Sequence, residues 1–384
     1  MSGTHATTDA VVATTPLHAL HRELGATMTV FAGYDMPLRY PAGILQEHLH
    51  TRAQAGLFDV SHMGQLCLRG PDPSDPVGSA ARALETLVPG DLLGLAPGQQ
   101  RYTLLTNADN GVLDDLMVAH AGECLLLVVN AACKHADFAH LAAALPAGCE
   151  LRWAEDRALL ALQGPQALRV MIRLAPTLAT LATMHGTWVE LCGQRCFVTR
   201  SGYTGEDGVE ISVPDSAVEA LARWLLAQPE VAPVGLGARD SLRLEAGLCL
   251  YGQDLDPQTT VVAAGLAWVV GKARRPGGAR AGGYPGEAVF ARELSEGAAR
   301  QRVKLLVEGR APVRAGAVIR AEDVDGAPAL GVVTSGGFGP SVGAPVAMGY
   351  VERARSGIGQ RLFAEVRGKR HPLRVVGRLL HAME

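Results

Sequence analysis

Several features are scarce in this 384-residue sequence, and each scarcity excludes something. Charge of one sign is missing. The 35 Lys and Arg against 38 Asp and Glu give a net charge of −3, so no overall basic field is available to hold nucleic acid. No apolar run reaches the roughly 18–20 residues of a membrane span, and the best one, around 260–271, falls short. Neither Lys nor Arg precedes Arg22, so a basic leader or an Arg-rich transit helix is not expected. The seven cysteines (67, 124, 133, 149, 192, 196 and 249) are odd in number and contain no C-x-x-C pair. Cys192 and Cys196 lie closest but lack the neighbours of a zinc tetrad. Reduced core thiols in a cytoplasmic protein, without a metal, are expected.

What is plentiful points to a folded, turn-rich chain. Hydrophobic residues make up 48% and charged residues 19%, enough apolar material for a large core and too much for disorder. At ~150 residues per domain the length predicts two or three domains. The 45 glycines follow no collagen-like period and sit at apparent turns, which predicts substantial β-structure.

The spacing predicts a helix over 44–55 closed by Gly56, then a strand from Leu57 to Leu68. Residues 102–130 read as a β-meander, with Asn110-Gly111 as a hairpin turn. Helices are expected from about Cys133 to Leu145, from Pro165, from an Asp215 or Ser216 cap to Ala227, and over Leu236–Ala246. A hairpin is expected over Arg195–Val213. Residues 272–287, rich in Gly, Pro and Arg, read as a linker, and Lys272, Arg274, Arg275 and Arg280 as a positive docking patch. Beyond about 300, short alternating runs predict a small all-β domain.

Several residue groups invite chemistry. Asp59, Ser61 and His62 suggest a hydrolase, but on a strand Ser61 and His62 point to opposite faces. His48 and His50 diverge on a helix and read as polar-face residues. GLGARD (235–240) lacks the last glycine of a dinucleotide fingerprint, and GKARR (271–275) lacks most of a P-loop. Asp114 and Asp115 lie in an apolar strand, LDDLMV, so one carboxylate must face the interior or a cleft, where it needs donors or a ligand. Glu210 in GVEISV is opposed to the apolar face of Val209, Ile211 and Val213. Arg239 and Arg243 stand four apart, compatible with either a site or a surface ion-pair lattice.

The strings AGYDMP (32–37), GLFDVSHMGQ (56–65), NGVLDDLMV (110–118), LQGPQA (162–167), SGYTGEDGVEI (201–211) and GLGARDSLRLEAGLCLYGQDL (235–255) closely resemble the glycine cleavage system T-protein family, the aminomethyltransferases. The resemblance runs from about Thr15 to Val376. It implies an α+β, three-domain ring-like architecture around a folate channel. Its first domain would comprise 1–63 and 155–258, its second 64–154 and 259–297, and a third, 300–384, would be a β-barrel or jelly roll.

The resemblance also implies a reaction. An aminomethyl group on the dihydrolipoyl arm of a lipoylated glycine cleavage H protein would pass its one-carbon unit to tetrahydrofolate, giving 5,10-methylenetetrahydrofolate and ammonia. Asp114 matches the family's catalytic aspartate, with Asp115 facing away. Glu210 matches a pterin-recognising glutamate, with Glu206 as a rival, and Arg239 a folate-site arginine. Tyr203 and Asn130 would line the channel. Tetrahydrofolate is then the one-carbon acceptor, lipoate arrives on the partner, and no nucleic acid or membrane is involved. The tail GRLLHAME (377–384) lacks the tyrosine that some relatives place near that end.

Overall fold

The computed structural model describes residues 12–324 and 326–379. The first eleven residues and most of the 377–384 tail, for which expectations were stated, lie outside that range. Three larger β-structures organise the described residues, beside a two-stranded hairpin of Thr27–Phe31 and Tyr34–Arg39. A six-stranded sheet runs Gly186–Leu191, Gln194–Thr199, Gly208–Pro214, Arg157–Gln163, Ala55–Asp59 and Val231–Pro233 in spatial order. It is antiparallel except for Val231–Pro233, which pairs parallel with Ala55–Asp59. One face, with Leu160, Leu162, Val209 and Ile211, buries against helices Ala167–Leu174 and Asp215–Leu226. The other carries Phe58, Leu159 and Ala161 onto Ala238 and Leu242 of helix Leu236–Ala246.

A five-stranded sheet follows, in the order Gln100–Thr106, Val112–His120, Leu125–Val129, Gly64–Arg69, Glu150–Trp153. Leu66, Leu68, Leu116, Val118 and Leu127 pack with Ala80 and Leu84 of helix Pro76–Leu84 and Leu141 of helix Lys134–Ala144. The terminal all-β unit is a closed six-stranded barrel rather than a jelly roll, formed by strands between Arg300 and Val376. Its inward residues, Val303, Leu305, Val333, Val351, Leu362, Leu373 and Val375, show the alternation read in the sequence. Among the described residues, no helix is long and apolar enough to cross a membrane. All seven cysteines are free, with Cys124, Cys196 and Cys249 buried and Cys192 exposed.

Several local expectations need correction. The run Leu57–Leu68 is two strands, Ala55–Asp59 and Gly64–Arg69, that belong to different sheets. Gly56 does not end a helix. It lies in a strand, where a Cβ would come within 2.4 Å of Thr51 Oγ1, so only glycine lets the helix Ile44–Ala53 lie this close. Asp215 is the first residue of its helix and makes no side-chain cap.

His48 is not a polar-face residue: it is fully buried and bonds Ser241 Oγ at 2.7 Å, Glu245 Oε2 at 3.0 Å and Ser341 Oγ at 2.9 Å. Glu245 also accepts from Arg52 (3.1 Å) and from the Ser341 N–H (2.8 Å), so this cluster ties helix Leu236–Ala246 to the barrel. Arg243, buried beside it, bonds Asp254 at 2.7 Å and Ser335 at 3.0 Å.

The basic linker is corrected too. Arg274 is buried on Glu85 (3.1 Å), Arg280 bonds Glu85 and Asp91, and Arg275 donates to the carbonyls of Val270 and Ala267. Of the four proposed docking cations, Lys272 alone is exposed. A buried arginine needs a carboxylate more than it needs solvent, and Glu85 supplies it.

Candidate active site

The six-stranded sheet, the five-stranded sheet and helix Leu236–Ala246 each bring polar side chains to one place. On strand Gly208–Pro214, the core takes Val209, Ile211 and Val213, leaving Glu210 on the other face. Its Oε2 accepts from Ser201 Oγ at 3.2 Å. Burial pushes the Glu210 carboxyl pKa up, while Arg239 and Ser201 pull it back. Arg239 lies with its guanidinium 4.8 Å from the centre of the Tyr203 ring. Burial lowers its pKa, and Tyr203 and Glu210 oppose that. The Tyr203 hydroxyl donates to the Cys249 carbonyl, which fixes the ring beneath the guanidinium. Glu206, the rival to Glu210, is committed elsewhere: it accepts from Arg52 at 3.0 Å.

The two aspartates divide differently from the sequence expectation. Asp114 shares the face of Leu116 and Val118, which form core, and it is 0% exposed. Asp115 takes the opposite face with Met117 and is only partly buried. Leu104 pairs with Asp115, so Tyr102, two residues along, lies on the same side. The Tyr102 hydroxyl is a hydrogen-bonding neighbour of Asp115, and Asp115 in turn raises the pKa of Tyr203. Asp115 therefore faces the Tyr203–Arg239–Glu210 group, and Asp114 lies behind it. The expectation that Asp115 points away is not met: Asp115 shares the side of Tyr102, while Asp114 lies fully buried on the other face.

Asn130, where strand Leu125–Val129 ends, connects the pair. Its N–H donates to Asp114 Oδ2 (3.2 Å), and its Nδ2 to Asp114 Oδ1 (2.9 Å), Asp115 Oδ1 (2.8 Å) and the Asp115 carbonyl (3.1 Å). Burial and the neighbouring Asp114 push the Asp115 pKa up to about 7, against Tyr102 and Asn130. A crevice of about 40 Å³ is walled by Glu210 and Ser212 on one side and Met117 and Ala119 on the other, so the faces of Glu210 and Asp115 meet there. A larger cavity, about 500 Å³, adjoins it at Gln65, Ala154 and Arg157 and includes none of the expected site residues.

Tyr102 was not singled out by the sequence, although its strand was. It stacks on Trp268, with ring centres 5.7 Å apart, and Trp268 is 61% exposed at the edge of the group. His62 is held near the site for structural reasons. Burial and the Arg239 charge depress its pKa to about 4, leaving a neutral ring between Phe31 and Tyr34. Asp59 accepts from Thr15 (2.6 Å) and bonds His21 (2.8 Å), and Ser61 Oγ donates to the Leu159 carbonyl, so the hydrolase reading has no geometry behind it.

A mixed α+β chain that ends in a closed barrel and gathers Glu210, Arg239, Tyr203 and an aspartate pair fits one class of proteins. Residues 17–274 match the GCVT N-terminal domain, and residues 300–381 the glycine cleavage T-protein C-terminal barrel domain. The chain belongs to the glycine cleavage T-protein family. It is 47% identical over 367 residues to the mitochondrial aminomethyltransferase of Gallus gallus, covering 93% of this chain and 90% of that protein. Against the aminomethyltransferase of Prochlorococcus marinus (strain MIT 9303) it is 42% identical over 380 residues, covering 95% and 96%. The crystal structure of glycine cleavage system aminomethyltransferase T from Bartonella henselae superposes with a TM-score of 0.87 at 46% identity, covering 95% of this chain and 97% of that one.

Proposed function

We propose that the chain is the aminomethyltransferase of a glycine cleavage system. It takes the aminomethyl group from the dihydrolipoyl arm of a lipoylated H protein, gives the one-carbon unit to tetrahydrofolate, and releases ammonia. The observation that carries this reading is the line of partly buried polar groups from Glu210 through Arg239 and Tyr203 to Asp115. Glu210 receives the 2-amino group and adjacent ring N–H of the pterin, a paired acceptor for paired donors. Arg239 favours the charged form of Glu210, against the larger effect of burial. Asp115, in place of Asp114, accepts the N–H of the folate's bridging amine and raises its nucleophilicity as positive charge develops on it. A carboxylate with a pKa near 7 is matched to that task at neutral pH.

Asn130 orients Asp115, and Tyr102 with Trp268 offers an aromatic rim to the folate body. The domain division stated from the sequence is supported by three separate apolar cores, one for each β-structure. A cytoplasmic location is part of the reading. Ammonia release from aminomethylated H protein, measured with and without tetrahydrofolate, tests it. Release that depends on tetrahydrofolate is expected; a protein that binds folate but releases no ammonia would be a binding protein instead.

A further inference from the structure

Behind Asp114 lies a third carboxyl that the reaction above does not use. Asp137, on helix Lys134–Ala144, is 4% exposed, and its side chain is a hydrogen-bonding neighbour of the Asp114 carboxyl. Two carboxyl oxygens in such contact, away from water, cannot both be ionised, and a proton must lie between them. Which group keeps the proton follows from the donors. Asp114 accepts two N–H bonds from Asn130, whereas Asp137 Oδ2 is buried with no partner. Donors favour the anion, so the charge belongs to Asp114 and the proton to Asp137.

We propose that Asp137 is a positioning residue that carries a proton at neutral pH, shares it with Asp114, and so holds the Asp114–Asn130–Asp115 chain in place behind the site. The groups that bear on it are Asp114 and Asp115 from strand Val112–His120, Cys133 at the start of its own helix, and Tyr251. None is a cation. Burial, Asp114 and Asp115 all act in one direction and push its pKa up to about 9. The cluster thus avoids a third buried negative charge beside Asp115. That role for Asp115 rests on the proposed function; the proton on Asp137 does not.

The test has two arms on the full-length protein. In the first, carbon-13 NMR of aspartate carboxyls is followed from pH 5 to 10 without folate or partner. One carboxyl is expected to stay protonated past neutrality and titrate near pH 9, and Asp137→Asn should remove that resonance. A wild-type protein with no carboxyl titrating above about pH 8 overturns the proposal.

The second arm is turnover. Asp137→Ala leaves Asp114 without its partner and should lower kcat at pH 7 by roughly ten- to a hundredfold, the loss of one hydrogen bond to a charged group. Asp137→Asn still donates to Asp114 and should recover most of that loss. Wild-type kcat is expected to decline above about pH 9 as Asp137 loses its proton, and Asp137→Asn should remove that decline. An Asn variant as poor as Ala, or one that keeps the alkaline decline, refutes the proposal. Wild-type protein that releases no ammonia with tetrahydrofolate refutes the proposed function, and the NMR arm then decides for Asp137 alone.

Discussion

Replacing Asp115 and Asp114 by asparagine, one at a time, tests which carboxylate does the chemistry. Asp115→Asn preserves shape and removes the charge of that aspartate of the pair which bears on Tyr203. A general base or charge-stabilising group contributes about 10²–10⁴ in rate, so single-turnover ammonia release should fall by that factor. Folate affinity, set by Glu210, should change much less. The pH dependence makes the test sharper. With its pKa up to about 7, Asp115 is ionised only above that value, so the wild-type rate should rise with pH through about 7 and level off. Asp115→Asn should lose that rise.

Asp114→Asn acts on the same profile indirectly. Burial is the larger cause of the raised Asp115 pKa, and the Asp114 charge is the second. Removing the second should move the acid limb part of the way toward the ordinary carboxylate range, with a smaller loss of plateau rate. Single-turnover ammonia release from pH 5 to 9 for the three proteins reads both effects. If Asp114→Asn abolishes turnover and Asp115→Asn does not, the strand faces are assigned backwards.

Other expectations follow from the same structure. Glu210→Gln removes the anion that matches the pterin donors, worth about 1.5–3 kcal/mol for one charge-assisted bond, and should weaken folate binding by about ten- to a hundredfold in calorimetry. An unchanged affinity would remove Glu210 from the pterin site. Glu245 is held down at about 2: burial opposes its charge, but His48, the Ser341 N–H and Arg52 outweigh it. Since its folded value is below the unfolded ~4.3, its contribution is present above that pH and lost as pH falls toward 2. Urea unfolding between pH 2 and 6 should therefore show a smaller pH slope in Glu245→Gln. Glu85→Ala strands buried Arg274 without its carboxylate and should cost about 3–5 kcal/mol in thermal unfolding, whereas reversing exposed Lys272 should leave stability within about 0.5 kcal/mol.

Much of the fold was legible because local signals sufficed. Helix Leu236–Ala246 runs over the residues its pattern predicted, and the barrel strands follow their alternation. The meander strands appear where Asn110 placed the turn, and Asn110 itself adopts a φ of 60°. The failures lie where a partner distant in sequence decides. Leu57–Leu68 reads as one strand because its apolar pattern continues, but its halves pair with Arg157–Gln163 in one sheet and Leu125–Val129 in the other. The arginines after Lys272 read as solvated because Glu85 and Asp91, some 190 residues earlier, are invisible to a local window.

The aspartate pair shows the same limit at the site. Alternation separates Asp114 from Asp115 but does not say which face looks into the cleft, because Leu116 and Val118 on one side and Met117 and Ala119 on the other are all apolar. Pairing decides it. Thr106 stands opposite Val112, so an unbroken ladder would bring Leu104 opposite Asp114 and put that residue on Tyr102's side. Instead Leu105 pairs with Asp114, and Leu113 is the extra residue of a β-bulge. That single insertion shifts the register by one, and a shift of one turns every later side chain to the other face. Asp115 is thereby turned toward Tyr102, Tyr203 and Arg239, and Asp114 toward Asn130 and Asp137. Deleting Leu113 should straighten the ladder and still leave Leu105 opposite Asp114 and Leu104 opposite Asp115. In that variant Asp115→Asn should therefore keep the larger loss of ammonia release; if Asp114→Asn carries it instead, strand pairing is not what aims the two aspartates.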